Sequence, residues 1–395
     1  MYRQRQALLA LVLLVGSLTM ACASTLPPVA NPAEDFSNWS DICVESVEPI
    51  AVGNTKPFSP WSPDGEWIAY SNVLPDEWNT KVTEPPGIYV IKYDGTGKRL
   101  VAPDGVRPSF GRYQWQIAYG KPGTSGKPGY KGSPEEDIWI VDFDGTENRP
   151  IAADEEDNRM KVYGGSSLTY DGKHVIYMIM DVGIGTVDID GSNKRTLVRS
   201  GVWGYSKDGG KVFVESVDKV KKGYVVGGWM DIETGDIETG DVEWITAIKH
   251  PEKHYGHPHV NFDGTMIAYD NPKWENRNIW VGMLDGSNKH YQLTDYVANF
   301  GEGTFANHPR WSPDGKWIVY DEQTFVENGV KDKVMIINLE TREKKEIWGG
   351  IVPRHSGWTE PGWSPDGGKL FFFAPDPDND DKQSIWIAGL RECDE

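Results

Sequence analysis

Basic charge, cysteine, histidine and long apolar runs are all scarce in this 395-residue chain. Lysine and arginine number 40 against 59 acidic residues, a formal charge of −19. Such a surface repels phosphate backbones and anionic headgroups, which excludes nucleic acid and the lipid surface as general partners. An anionic ligand is left with local basic pockets only. The apolar run Ala7–Val15 falls well short of the ~20 residues a membrane-crossing helix needs. No stretch carries a convincing helical period. Histidine is confined as well as rare: seven of the eight lie between residues 250 and 355.

What is plentiful is a turn followed by an aromatic strand. Trp-Ser-Pro-Asp-Gly occurs at Trp61–Gly65, Trp311–Gly315 and Trp363–Gly367, and weaker copies centre on Phe110, Leu168, Tyr205 and Val260. Self-similarity at about 40–50 residues marks an architecture in which one repeat is one supersecondary unit. Asp-Gly supplies a tight turn, because glycine tolerates positive φ and aspartate bonds its own backbone. The run after it, such as Trp317–Tyr320, is β-branched and aromatic and reads as a buried strand. A variable loop follows, then a second run such as Ile138–Val141 or Ile279–Val281. Second turns stand at Asp94-Gly95, Asp144-Gly145, Asp190-Gly191 and Asp285-Gly286. Four strands per unit and seven units predict an all-β, seven-bladed β-propeller over residues 42–395.

Residues 1–23 read as an export leader: Arg3 and Arg5 precede the short apolar run, and small residues end it. Leu18–Cys22 fits a lipobox that would place a lipid on Cys22, while Ala21-Cys22-Ala23 also fits ordinary secretion. The lipoprotein reading gives Cys22 a purpose and makes the polar residues 24–41 a tether. The expected location is the bacterial cell envelope, in the periplasm or on the outer membrane, with secretion as the alternative. Membrane contact is then through the N-terminal lipid only, and the propeller reads as a monomer. Losing Arg3 and Arg5 with the leader takes the charge from −19 to −21. In an oxidising compartment the two remaining cysteines pair. Blade seven offers strands near Pro361–Ser364, Lys369–Phe373 and Ser384–Ala388, and lacks a fourth. Val44–Val52 can supply it, which puts Cys43 and Cys393 on neighbouring strands and predicts a disulfide across the closure.

The Pro-Asp-Gly cassettes, spread over residues 44–390, resemble the TolB-type, WD40-like propeller repeats of bacterial envelope proteins. That resemblance implies a propeller and leaves the function open, since the same blade serves scaffolds, peptidase accessory domains and polysaccharide lyases. The sequence shows no helical domain ahead of the repeats, as TolB has, and no α/β-hydrolase segment after them. A propeller-gated peptidase is set aside on that ground.

In a four-stranded blade the turns after the first and third strands share one face, and these are nearly all tight Asp-Gly turns. The other face receives the long segments Val73–Pro86, Lys121–Glu136, Asp295–Asn307, Gly349–Gly357 and Pro375–Lys382. Long loops on a rigid scaffold carry binding work, so that face is the expected functional one. Aligned three residues before each repeat's aromatic are Phe58, Arg107, Gly165, Val202, His257, His308 and Glu360. Blades five to seven are neighbours, so His257, His308 and Glu360 should meet at one sector of the channel rim. His259 and Arg310 are expected one layer deeper, on the same side of the strand. His250, His254, Arg354 and His355 occupy adjoining loops. Many of the tryptophans belong to the repeat itself. Trp78, Trp203, Trp274 and Trp358 are the candidates to stack on a sugar.

His254-x-x-His257-Pro-His259 carries the most chemistry. Three imidazoles with a carboxylate or His308 suit Zn²⁺ or Mn²⁺. The segment is similar to the Gln-x-x-His-x-His metal site of oligogalacturonate lyases, themselves seven-bladed propellers. That resemblance implies His257 and His259 as ligands, with His254 where the family has glutamine. The family's further histidine ligand has no counterpart here, and His308 or His355 would have to serve as base. Two readings follow. One is a non-catalytic propeller whose open face binds an envelope protein or an acidic oligosaccharide, with Arg107, Trp358 and Glu360 as binding residues. The other is a metal-dependent lyase for uronic-acid oligosaccharides, with Arg107, Arg310 or the metal on the substrate carboxylate. The plainer alternative is that His-Pro is only a strand-entry turn. The first reading is preferred because it needs only what the repeats supply.

Overall fold

The structure, a computed structural model, describes residues 39–53, 60–72, 84–122, 136–152, 166–179, 183–198, 202–217, 224–235, 242–249, 256–271, 277–299, 302–327, 329–352 and 359–393. The expected leader and most of the expected tether lie outside these. Every regular element among the described residues is a β-strand, and they form seven antiparallel sheets. Strands within a blade are lettered A to D from the axis outward.

The turn chemistry explains why the repeat survives its own degeneracy. Ser62 Oγ donates to Asp64 Oδ1 at 2.5 Å and accepts the Trp67 amide at 2.9 Å, which closes the A–B turn. Thr169 with Asp171, Ser206 with Asp208, Ser312 with Asp314 and Ser364 with Asp366 repeat the first of these bonds. In blade five Asn261 replaces the serine, and its Oδ1 takes the amides of Thr265 and Met266 at 2.9 Å. The following glycines, Gly65 and Gly315 among them, sit at φ 69° and 73°, where a Cβ would be strained.

Strands B and C of each blade are buried on both faces, as the unbroken Trp317–Tyr320 and Leu370–Phe373 runs require. Seven hydrophobic clusters result, one at each junction between neighbouring blades. Phe372 and Leu370 of blade seven meet Trp317 and Val334 of blade six. Phe371 and Ile385 meet Trp61, Ile68 and Tyr70 of blade one. The ring therefore closes through a core like those of its other junctions. Blade seven is completed as the sequence predicts: Ile42–Val52 is its outermost strand, paired to Asn379–Glu392. The Cys43–Cys393 disulfide joins these two strands across 350 residues. Lys345 of blade six adds a clamp, donating to the Ile42 carbonyl at 3.0 Å and pairing with the Asp41 carboxylate. Trp39, at the end of the expected tether, packs on the core between blades six and seven.

Three of the expected long loops are shorter than the sequence suggests. Strand A of blade six is Glu302–Trp311, and Ala298–Asn299 folds back to pair with it. Much of Asp295–Asn307 is thus hairpin, held because Phe305 is buried and stacks on Phe325 at 5.3 Å. Strand D of the same blade, Lys344–Val352, runs through the start of Gly349–Gly357. Pro375–Lys382 is mostly strand around a turn at Asp376–Asn379, where Asp376 takes the Asp378 amide at 3.0 Å. The A–B and C–D turns share one face, and the B–C and D–A connections share the other. Most of the latter lie outside the described residues.

Candidate functional site

The sequence places one motif in four blades, its proline two residues ahead of the aligned strand A position: Arg107-Pro108, His257-Pro258, His308-Pro309 and Glu360-Pro361. Proline has no N–H to give to the ladder, so the strand slips register there. The slip falls between Val106 and Ser109, between Gly256 and His259, and between Asn307 and Arg310. The residue before each proline takes positive φ: 54° at Arg107, 37° at His257, 50° at His308 and 40° at Glu360. Non-glycine residues there cost about 1–3 kcal/mol each, and such strain concentrates at functional sites. All four side chains line one axial cavity of about 470 Å³.

Two imidazole–carboxylate pairs form its most polar wall. His257 Nδ1 lies 2.7 Å from Asp270 Oδ2, and His308 Nδ1 lies 2.7 Å from Asp321 Oδ2. Both aspartates are fully buried on strand B of adjacent blades, Asp270 as the last residue of Met266–Asp270 and Asp321 midway along Trp317–Val326. The two rings are in contact, with centroids 4.0 Å apart. Asp270 Oδ2 also accepts the His308 amide at 3.3 Å, and Thr359 Oγ donates to Asp321 Oδ1 at 2.7 Å. These bonds tie blades five, six and seven together directly behind the cavity. A further buried layer follows, in which Arg277 donates to Asn307 at 2.8 Å and Gln323 donates to Asp332 at 2.8 Å.

Burial sets the protonation here. Desolvation, with the neighbouring His257 second, pushes the His308 imidazole down to about 3. His259 is held well below the ordinary histidine value by burial and by the Arg310 and Arg112 guanidiniums. Asp321 is raised well above the usual carboxylate range by the same desolvation, and Asp332 by desolvation and the nearby Asp321. Burial lowers the Arg310 pKa, yet a guanidinium remains charged at neutral pH. The cavity thus offers the neutral imidazoles of His308 and His259 beside a fixed cation.

The remaining walls differ in kind. Blades three and four contribute Leu168, Ile176, Met178, Ile184, Val202 and Trp203. Toward the Asp-Gly face, Arg112 of blade two reaches across the axis to blade five. Its guanidinium carbon is 4.1 Å from the Phe262 ring centroid and 5.2 Å from that of Tyr170, a cation–π cluster that plugs this end.

Of the residues singled out in the sequence, Arg107, His257, His259, His308, Arg310 and Glu360 are brought to this one cavity. Trp203 lines it too. Cys22, His250, His254, Arg354, His355, Trp78, Trp274 and Trp358 lie outside the described residues. His257 and His259 both reach the cavity, and a bulge falls between Gly256 and His259. The two rings are engaged separately, His257 by Asp270 and His259 by the Trp311 amide at 3.3 Å. Among the described residues no three His, Cys, Asp or Glu side chains gather closely enough to hold a metal, so these residues alone do not fit Mn²⁺ or Zn²⁺. Asp270, Asp321, Thr359 and Arg112 were not anticipated. The available signal was the acid closing two equivalent runs, Ile-Ala-Tyr-Asp270 and Ile-Val-Tyr-Asp321.

No protein-family model matches the chain, and no curated relative does. Solved structures do. TolB from Acinetobacter baumannii is 18% identical over 76% of this chain and 67% of that one, with a TM-score of 0.46. An oligogalacturonate lyase in complex with manganese is 15% identical over 88% of this chain and 98% of that one, with a TM-score of 0.45. The β-propeller domain of Cps50 (Swd1) from Myceliophteria thermophila is 13% identical over 88% and 99%, with a TM-score of 0.53. Identities this low speak for the fold alone. The chain is a seven-bladed β-propeller, and TolB propellers are among the solved structures it resembles, as its repeats imply.

Proposed function

We propose that this chain is an exported propeller, anchored through a lipid on Cys22, that binds an acidic oligosaccharide at the loop-face mouth of its axial channel. One observation carries the reading: Arg107, His257, His308 and Glu360 occupy the same repeat position, all at positive φ, around one cavity. A channel that only held water would gain nothing from four strained polar residues. Arg107 and Arg310 supply cations for a carboxylate, and the more exposed His257 and Glu360 supply hydrogen bonds for hydroxyls. The Cys43–Cys393 bridge suits an oxidising compartment, which supports export.

A second reading, β-elimination on a uronic-acid oligosaccharide, is favoured by the imidazole–carboxylate pairs. His308, bonded to Asp321, is placed to take the α-proton; burial makes it a weak base, so the step would rely on Arg310 offsetting the charge that grows on the substrate carboxylate. No step of this reading needs a metal held by the described residues.

Titration calorimetry with tri-galacturonate and with a neutral trisaccharide tests the binding reading. Binding of the acid alone, weakened at least tenfold in Arg107→Ala, is expected; equal binding of both sugars overturns it. Absorbance of an unsaturated product, present in the wild type and absent in His308→Asn, would establish the lyase, and its absence in the wild type removes it. Incorporation of labelled palmitate into the wild type but not into Cys22→Ser tests the anchor, and equal labelling of both overturns it.

A further inference from the structure

The cavity is divided by chemistry, and the division specifies its ligand. Its charged groups and imidazoles belong to blades two, five, six and seven, while blades three and four add only neutral polar groups, among them those of Ser167, Tyr170, Tyr177 and Tyr205. Blades three and four contribute a wall of Leu168, Ile176, Ile184, Met178 and Val202. Leu168, Ile176 and Ile184 are its buried part, while Met178 stands 43% exposed on it. Strand B of blade three, His174–Ile179, sends Ile176 and Met178 to the cavity. At the ring position filled by Arg, His or Glu in four other blades, blade four carries Val202.

A fully hydroxylated sugar filling this volume would turn many of its hydroxyls against aliphatic and aromatic faces and lose their water with few replacement bonds. We infer that the site takes an acidic sugar bearing an apolar substituent, such as an alkyl or aryl glycoside of a uronic acid. Its carboxylate lies toward Arg107 and Arg310, and its substituent occupies the lobe formed by blades three and four. This rests on the proposal that the channel binds an acidic ligand. The volume of about 470 Å³ falls within the about 300–1,000 Å³ of ordinary small-ligand sites, which combine mostly apolar walls with a few convergent polar groups.

Three probes separate the outcomes in calorimetry: glucuronate, hexyl β-glucuronide and hexyl β-glucoside. Burying most of a hexyl chain should tighten binding on the order of 10–100-fold over glucuronate. Hexyl β-glucoside, which lacks the carboxylate, should bind at least tenfold more weakly than the glucuronide. In Met178→Gln the advantage of the hexyl chain should shrink several-fold, and Val202→Thr should do the same from the other side of the lobe. Equal affinity for glucuronate and its hexyl glycoside overturns this inference and leaves the acidic-ligand reading intact. Equal affinity for the glucoside and the glucuronide overturns that reading instead, as does binding by none of the three. An unchanged hexyl advantage in both variants, each with a wild-type melting midpoint, overturns the placement of the lobe.

Discussion

Removing the Cys43–Cys393 bridge isolates the contribution of ring closure. The bridge spans 350 residues, and the chain-entropy relation assigns a loop of that length about 6 kcal/mol at 25 °C, against the about 2–5 usually lost when native bridges are removed. The native state has little reason to change without it. The outer strand keeps its ladder from Ile42↔Glu392 to Val52↔Ser384, Ile42 stays buried, and Lys345 still holds the Ile42 carbonyl. The loss therefore falls on the unfolded chain, which becomes free to expand. Cys43→Ser/Cys393→Ser should be less stable by about 3–5 kcal/mol, with a steeper denaturant slope because more surface is exposed on unfolding. Urea unfolding followed by tryptophan fluorescence reads both quantities, and thiol titration confirms the bridge in the parent. An unchanged midpoint and slope would refute the closure argument. A double variant already missing its β-sheet circular dichroism in buffer would refute the claim that strand pairing alone keeps the ring shut.

The buried pairs, the strained ring and the titration of the site make three further tests. Asp321→Ala leaves His308 Nδ1 and the Thr359 hydroxyl without their acceptor, so it should cost about 3 kcal/mol in urea unfolding; Asp321→Asn, which keeps an oxygen there, should cost clearly less. Glu360→Gly relieves a φ of 40° and should raise stability by up to about 1 kcal/mol while weakening acid-ligand binding, so a variant losing stability contradicts the assignment of strain. His259 is depressed in the fold, so the unfolded chain binds the extra proton first: its contribution is complete above about pH 6.5 and is lost as the pH falls below that value. The melting midpoint should accordingly drop between pH 7 and 5, and His259→Gln, which can still accept the Trp311 amide, should flatten that drop.

The fold was legible because each repeat writes its own turn. Ser-x-Asp-Gly survives in blades as different as one and four, since a hydroxyl and a carboxylate two residues apart are enough to close it. Asn261 shows how a copy can lose the serine and keep the bonds. The ring closure was legible by elimination, from a blade short of one strand and a strand short of a blade. The hairpin at Ala298–Gly303 was not. Asn299, Gly301 and Gly303 have loop composition, and what extends the strand there is the ladder that Thr304 and Phe305 make to Thr324 and Gln323, a partner some 20 residues on. Propensity read locally cannot see such a partner.

The ring of Arg107, His257, His308 and Glu360 could be found by alignment, yet Asp270 and Asp321 could not. Their role depends on which residues face them, and the bulge resets that register: Asp321 pairs with Asn307 and Asp270 with Gly256, one step before the slip in each blade. The bulge links the His-Pro entry turn to the cavity. In blades two, five and six the residue before the proline takes positive φ at the slip and lines the axial cavity, whereas blade four slips between Val202 and Gly204 without a proline. Proline and a polar partner occur together in blades two, five, six and seven, whereas blade four has Val202-Trp203, without proline and without positive φ. The entry turn and the site are one device, and blade four, built without it, supplies the hydrocarbon side of the same cavity.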